Sequence, residues 1–357
     1  MRILAIGGAG FIGSCVVRTL LDQGHEVAVY HRGSSNLGLP EKLRHGVREI
    51  LGDRSQLAAS RAHFRDFAPD VAIDFILASE SQAQTTVDAL RGIAGRIVAL
   101  SSGDVYRAAG VLHGAEPGPR QPVPLTEDSD LRAHGPLYRK ELLEAMRQMA
   151  PWLASDYDKI PVERAILSAE IAGTVLRLPM VYGPGDWSHR LHAYLKRMDD
   201  GRSAILMQEG AAEWRAPRGY VENIAAAIAL AATAAQAAGR IYNVAEPQSF
   251  SEAEWVRHIG RSVGWSGAVV TAPAQLTPAH LKLSYNLGQH LTMSSAKIRE
   301  ELGYREHVPP DVAIARAIEW ERFNPPSHVD AGQFNYEAED AALEQLRVRE
   351  KIALLGA

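Results

Sequence analysis

MRILAIGGAGFIG, residues 1–13, is the stretch whose reading decides the fold. Arg2–Ile6 is a short buried-type strand, three spaced glycines make a turn, and Phe11 opens an apolar helix. Each glycine has a steric task. Gly7 permits the sharp exit from the strand, and Gly10 keeps a Cβ out of the path of an approaching phosphate. Gly13 lets the helix pack closely. The first-turn amides of Phe11, Ile12 and Gly13 have no acceptors within the helix, so with the helix dipole they offer an anion site. Gly24 then stops the helix, and Glu26–His31 reads as a second strand. The unit predicts a cradle for the pyrophosphate of a dinucleotide.

Working outward, Val47–Leu51, Val71–Leu77 and Arg96–Ser101 are short apolar runs bounded by Gly, Pro or Asp. Together with Thr174–Leu178 and Ile241–Val244 they alternate with helical stretches. Such alternation predicts an α/β fold, a doubly wound parallel sheet of Rossmann type with a smaller interleaved α/β lobe. The expected division is residues 1–178 for the dinucleotide domain, rejoined by 219–245. Residues 179–218 and 246–325 form the substrate lobe, and 326–357 a tail, helical from about Tyr336 to Leu355. Residues 110–124, rich in Gly and Pro, read as loop.

The chain has 357 residues, 46% of them apolar and 22% charged, as in ordinary globular proteins. A formal net charge of −4 supplies no basic field for DNA or RNA. Cys15, the single cysteine, excludes an intramolecular disulfide and reads as a buried, inert thiol. The opening residues already form a strand, so no removable leader is expected. The alanine-rich stretch 224–238 lacks the apolar run needed to span a bilayer, and a cytoplasmic location is expected. His189 and His192 have no evident third ligand, so no metal site is expected.

With several motifs in order, the chain resembles the extended short-chain dehydrogenase/reductase superfamily, in particular its NAD-dependent epimerase/dehydratase branch acting on sugar nucleotides. The resemblance covers about residues 1–322. It rests on the glycine turn, Asp53 in Leu51-Gly-Asp-Arg54, Ser101-Ser-Gly-Asp-Val-Tyr106 and Leu176-Arg-Leu-Pro-Met-Val-Tyr-Gly-Pro184. Gly219-Tyr-Val-Glu-Asn-Ile-Ala225 and Leu302-Gly-Tyr304 extend it. It implies that Asp53 contacts adenine, that Ser102 bonds a substrate oxygen, and that a tyrosine and a lysine handle a hydroxyl proton while hydride moves at carbon. Tyr157, in Tyr157-Asp-Lys-Ile-Pro-Val-Glu163, is the candidate tyrosine. Asp104 stands near where dehydratases of the family place an acid or base. The resemblance also implies a homodimer, here through helices near Gln82–Ala94 and Val162–Ala172.

The family's Tyr-x-x-x-Lys spacing is broken, because Pro161 stands four residues after Tyr157. Lys159, two residues on, would sit about 200° around a regular helix and point away. If Asp158 instead caps the helix and Pro161 lies in its first turn, Tyr157 falls on the entering loop and Lys159 can turn toward the coenzyme. The sequence leaves both arrangements open. Tyr138 does not restore the spacing, since Leu142 follows at four residues.

The second strand ends Tyr30-His-Arg-Gly-Ser-Ser35. A carboxylate there would take the ribose hydroxyls of NAD. Here Arg32, with Ser34 and Ser35 beyond it and His31 before it, suits a 2′-phosphate. NADP is favoured over NAD, while Arg32 stacked on adenine would serve either. Met180 replaces the Asn that sugar-nucleotide enzymes of this branch commonly carry. Arg215 and Arg218 are the candidate diphosphate clamp. The expected function is an NAD(P)-dependent oxidoreductase or epimerase acting on a secondary alcohol of a sugar or nucleotide-sugar-like small molecule. The alternative is a catalytically impaired dinucleotide-binding protein acting as sensor, scaffold or RNA-associated protein.

Overall fold

The computed structural model describes residues 1–33, 45–134, 136–150 and 153–355. Ser34 and Ser35 lie outside the described residues. The first of two compact units comprises residues 1–181, 217–247 and 291–308. Its sheet contains β1 (Arg2–Ile6), β2 (Glu26–His31), β3 (Val47–Leu51), β4 (Val71–Asp74), β5 (Arg96–Ser102), β6 (Ala172–Leu178) and β7 (Ile241–Asn243). The order is β7-β6-β5-β4-β1-β2-β3, with every pair parallel. The chain winds one way from β1 through β2 and β3, then the other way from β4. The carboxyl ends of β1 and β4 therefore flank the switch point where open α/β sheets bind ligands. Register sets Ile6 beside both Tyr30 and Asp74, so three strand ends converge next to Gly7.

Two pairs of helices cover much of the sheet. The pair α1 (Phe11–Asp22) and α4 (Val221–Thr233) pack together, as do α2 (Glu80–Leu90) and α3 (Lys159–Leu167). Leu4, Ile6, Ala28 and Tyr30 share a core with Val87, Val162 and Ile166, while Val16, Val17 and Leu20 of α1 are fully buried. Strand faces apolar on both sides require this double cover.

Several local expectations are corrected. Strand β4 ends at Asp74 and not at Leu77, because the Asp74 carboxylate turns back to accept the Ile76 N–H at 3.1 Å. That carboxylate is wholly buried and is satisfied by Arg54 at 2.8 and 3.0 Å and by the Thr86 hydroxyl at 2.7 Å. Residues 110–113 are helical, as the end of a helix spanning Arg107–His113. Gly110 admits the Glu116 side chain where a Cβ would clash, and Gly114 ends the helix at φ +73°. Residues 291–308, expected in the substrate lobe, group with the first unit, and Met293 shares a core with Val105, Tyr106, Leu125 and Ala245.

The second unit comprises residues 182–216, 248–290 and 309–357. Ala204–Gln208 pairs in parallel with Ala268–Ala272, and Ser251 with Glu254 forms a capping box on the helix Glu252–Ser262. The tail helix Tyr336–Leu355 belongs to this unit and not to a separate tail. Its Glu339 accepts from Arg197 at 2.6 Å and lies 3.1 Å from His280 Nε2. His189 contacts buried Glu321 at 2.7 Å and stacks on Trp320. Among the described residues no group of three His, Cys, Asp or Glu side chains is arranged to hold a metal ion, and no helix is long and apolar enough to cross a membrane.

Arg177 on β6 and Glu163 on α3 form a buried ion pair at 2.8 Å, and the Ser101 hydroxyl also donates to Glu163. Arg177 donates further to the Tyr106 hydroxyl and to the Glu127 carbonyl, each at 3.0 Å. Glu163→Ala leaves this guanidinium without its counter-charge. A loss of about 3–5 kcal/mol in unfolding free energy is expected from urea titration.

Candidate active site

Gly7 adopts φ +78°, a conformation that disfavours side chains, and a Cβ there would press on Ile76. A Cβ on Gly13 would come within 2.7 Å of Gly8 Cα. The close approach expected of Gly13 is therefore made to the turn itself. Gly8, which the sequence reading passed over, has no room either, because its Cβ would meet that of Ala5 at 2.7 Å. No side chain caps α1 at Gly10, so the first-turn amides of Phe11, Ile12 and Gly13 carry no capping side chain. The nearest atom to a Cβ on Gly10 would be the Gly7 carbonyl oxygen at 3.6 Å. This is an open cradle that fits a phosphate.

A cavity of about 470 Å³ opens from this turn, and Gly7, Gly10, His31, Arg32 and Asp53 all line it. Five of the expected coenzyme residues thus share one cavity, while Phe11, Ile12 and Gly13 are not among its lining. The Asp53 carboxylate accepts the Ser55 N–H at 2.9 Å and the Ser55 hydroxyl at 2.6 Å, which hold it below its usual pKa. His31 Nε2 lies 2.9 Å from Glu49 Oε2. Arg54 also lines the cavity, but its charge is committed to Asp74. Gly52 lies under the Tyr30 ring, where a Cβ would strike the hydroxyl that donates to the Asp53 carbonyl at 2.7 Å. Arg54 and Gly52 flank Asp53 directly, so the motif around Asp53 held more signal than Asp53 alone conveys.

The second group of candidates gathers at the end of β5. Ser102 Oγ accepts the Asp104 N–H at 3.2 Å, capping the strand exit. Asp104 Oδ2 accepts two phenols, Tyr157 at 3.0 Å and Tyr138 at 2.7 Å. Arg132 braces the loop by donating to the Asp104 carbonyl at 2.6 Å and to the Asp158 carboxylate at 2.8 Å. Both tyrosines, with Asp158, line a cavity of about 230 Å³.

Helix α3 adopts the second of the two arrangements. Asp158 is its N-cap and accepts the Ile160 N–H at 3.0 Å. Pro161 falls in the first turn, where a missing N–H costs nothing. Tyr157 is therefore on the entering loop, and Lys159 is not directed away. Its buried amine donates to the Leu77 carbonyl and, at 3.1 Å, to the Leu100 carbonyl. It sits 5.8 Å from the centre of the Tyr157 ring. Burial pushes the Lys159 amine down to about 8. Burial, then the Asp104 carboxylate, pushes both phenols well above their usual value.

Tyr138, set aside in the sequence because Leu142 and not a lysine follows at four residues, lies beside Tyr157. Its phenol is placed by a hydrogen bond to Asp104, 34 residues away in the chain. Arg215, in the second unit, is bound by Glu254 at 2.9 Å and by the Ser249 carbonyl at 2.7 Å. Arg218 lies in the first unit and is buried.

The model of the NAD dependent epimerase/dehydratase family matches residues 3–245. A 3-diazoavenalumate denitrifying reductase from a Streptomyces species is 26% identical over 319 residues, covering 87% of this chain and 97% of that protein. A 2'-dehydrokanamycin reductase from Streptomyces kanamyceticus is 28% identical over 292 residues, covering 79% of this chain and 72% of that protein. Among solved structures, UDP-glucose 4-epimerase from Thermotoga maritima, with UDP-glucose, has a TM-score of 0.63 at 19% identity, covering 90% of this chain and 99% of that one. The dTDP-glucose 4,6-dehydratase of Bacillus anthracis, in complex with NAD, has a TM-score of 0.65 at 16% identity, covering 91% and 97%. These two share the fold described above.

The lowered Lys159 pKa has a stability consequence. Between about pH 8, its folded value, and about 10.4, the ordinary lysine value, the unfolded chain binds a proton that the folded chain lacks. This site therefore adds stability as pH rises through that window. Urea unfolding of the wild type minus that of Lys159→Met is expected to show the rise. A difference that stays flat with pH would remove the assignment.

Proposed function

This chain belongs to the NAD dependent epimerase/dehydratase family, as an enzyme of the short-chain dehydrogenase/reductase type, and from that premise we propose that it works as a ketone reductase. Its product is a secondary alcohol on a sugar-like or otherwise hydroxylated small molecule. The observation that carries this reading is the Tyr157 hydroxyl, held on Asp104 with Lys159 beside its ring. A nicotinamide coenzyme, when bound, supplies hydride to carbon. The glycine turn and the amides of Phe11, Ile12 and Gly13 hold its phosphates, with Asp53 at the adenine end.

The chain's own groups handle the oxygen. A phenol kept protonated is loaded to give its proton to a carbonyl oxygen, which favours reduction over oxidation. The Lys159 ammonium, in a low-dielectric setting near the ring, stabilises the phenolate that remains. Ser102, at the strand exit, orients the same oxygen. The position of Lys159 beside the Tyr157 ring supports an active enzyme over a catalytically impaired protein. A substrate without a diphosphate is supported by Met180 and by the pairing of Arg215 with Glu254. The relative named for the reduction of 2'-dehydrokanamycin points the same way.

Arg32 lines the coenzyme cavity at the end of a strand that carries no terminal carboxylate, which supports NADP over NAD. Arg32→Ala is expected to weaken NADPH binding while sparing NADH. Isothermal calorimetry checks this, and equal losses for both coenzymes would remove the support for NADP. Activity is tested by coenzyme oxidation with keto sugars, cyclic ketones and 3-oxoalkanoate esters. With any compound reduced, Tyr157→Phe is expected to lower kcat by about 100-fold or more. Full activity in that variant would end the proposal.

A further inference from the structure

We propose that Tyr138 is the proton-relay residue that reloads Tyr157 through Asp104 after each turnover. The inference rests on the reductase reading above and adds a residue that lacks the Tyr-x-x-x-Lys spacing.

Three observations carry it. The phenols of Tyr138 and Tyr157 donate to one and the same carboxylate oxygen, Asp104 Oδ2, at 2.7 and 3.0 Å. Their rings lie 5.7 Å apart between centres. Both residues line the same cavity, so Tyr138 can exchange protons there while Tyr157 is occupied with the substrate oxygen. Asp104 is held in place for this by Arg132 on its carbonyl and by Ser102 on its N–H.

The chemistry balances. Hydride from the reduced nicotinamide reaches the carbonyl carbon, the C=O π pair stays on oxygen, and that oxygen takes the Tyr157 proton. Tyr157 is left as phenolate. Asp104 Oδ2 takes the proton of Tyr138 and passes it to Tyr157, so the carboxylate ends as it began and Tyr138 becomes the phenolate. Tyr138 then takes a proton from the solvent side of the cavity. The sum is one hydride and one solvent proton added to a ketone. A relay through a single shared oxygen needs no rotation of the carboxylate, and it keeps Asp104 hydrogen-bonded by Tyr138 while Tyr157 faces the substrate.

Two measurements test the relay. The first uses rapid-mixing kinetics with the ketone that the wild type reduces fastest. In Tyr138→Phe the first turnover uses the proton already on Tyr157, so its rate is expected to match the wild type. Later turnovers slow by about tenfold or more, giving a burst of one equivalent per site. Added imidazolium is expected to restore the steady rate. A Tyr138→Phe protein that slows the first turnover as much as the later ones, or slows neither, overturns the relay.

The second measurement needs no coenzyme. Phenolate absorbance is followed through alkaline titration in the free protein. Asp104→Asn is expected to move two tyrosine ionisations toward the ordinary value of about 10. In a Tyr138→Phe background the same change is expected to move only one. One moving tyrosine in both backgrounds overturns the shared acceptor. Loss of the first turnover in Tyr157→Phe tests the reductase reading separately. That loss, combined with an unaffected Tyr138→Phe, would leave the reading standing and remove only the relay.

Discussion

The Asp158 cap on the Ile160 amide is the interaction on which the candidate chemistry depends. It fixes where α3 begins, and that starting point decides what each neighbouring residue does. One residue before the cap, Tyr157 stays on a loop and reaches Asp104. One residue after it, Lys159 enters the helix with its side chain turned into the unit. Two further on, Pro161 stands where the absence of an N–H is harmless. An N-cap of this kind contributes about 0.5–2 kcal/mol to stability. Its effect on placement here exceeds that figure, because a helix beginning earlier would need Pro161 in its interior.

Two buried ion pairs brace the first unit. Arg54 and Asp74 lie beneath the coenzyme cavity, and Glu163 and Arg177 link α3 to β6. Both pairs are largely removed from water, and each is completed by hydroxyls or carbonyls. Such pairs give little net stability compared with apolar replacements, but they penalise any arrangement that separates the partners. They hold β4, β5 and β6 in one geometry with respect to α2 and α3. The candidate polar groups Ser102, Asp104 and Asp53 are each engaged by a neighbour and do not swing freely. This is the condition for placing a reacting oxygen reproducibly.

The fold was legible because its signals are local. Strand, turn and helix at residues 1–22 follow from apolar period and glycine position, and the later strands repeat the same grammar. Strand ends were less legible. Asp74 stops β4 through its own side chain, which a run of apolar residues beyond it concealed. The helix over Arg107–His113 was hidden by Gly110, whose missing Cβ makes room for Glu116. In the candidate site the glycine turn was readable, and the surroundings of Tyr157 only half so. Asp158, Lys159 and Pro161 could be weighed as caps and helix turns. The bond from Tyr138 to Asp104 could not, since no periodicity relates two loops that meet only after folding. The ion pairs Arg54–Asp74 and Glu163–Arg177 escaped for the same reason.

Residues 291–308 complete the first unit after more than forty residues of the second have intervened. Leu125 donates its N–H to Thr292 and accepts from the Ser294 N–H, at 2.7 and 2.8 Å. The core around Tyr106 takes Met293 from the same segment. A nascent chain therefore leaves the ribosome with its nucleotide-cradle half lacking its last piece until most of the polypeptide has been made. Contacts of such long range slow folding and keep an unfinished apolar surface available to chaperones during translation. Dissecting this protein at residue 247, where a sheet-based boundary would fall, would produce an open fragment and not an autonomous domain.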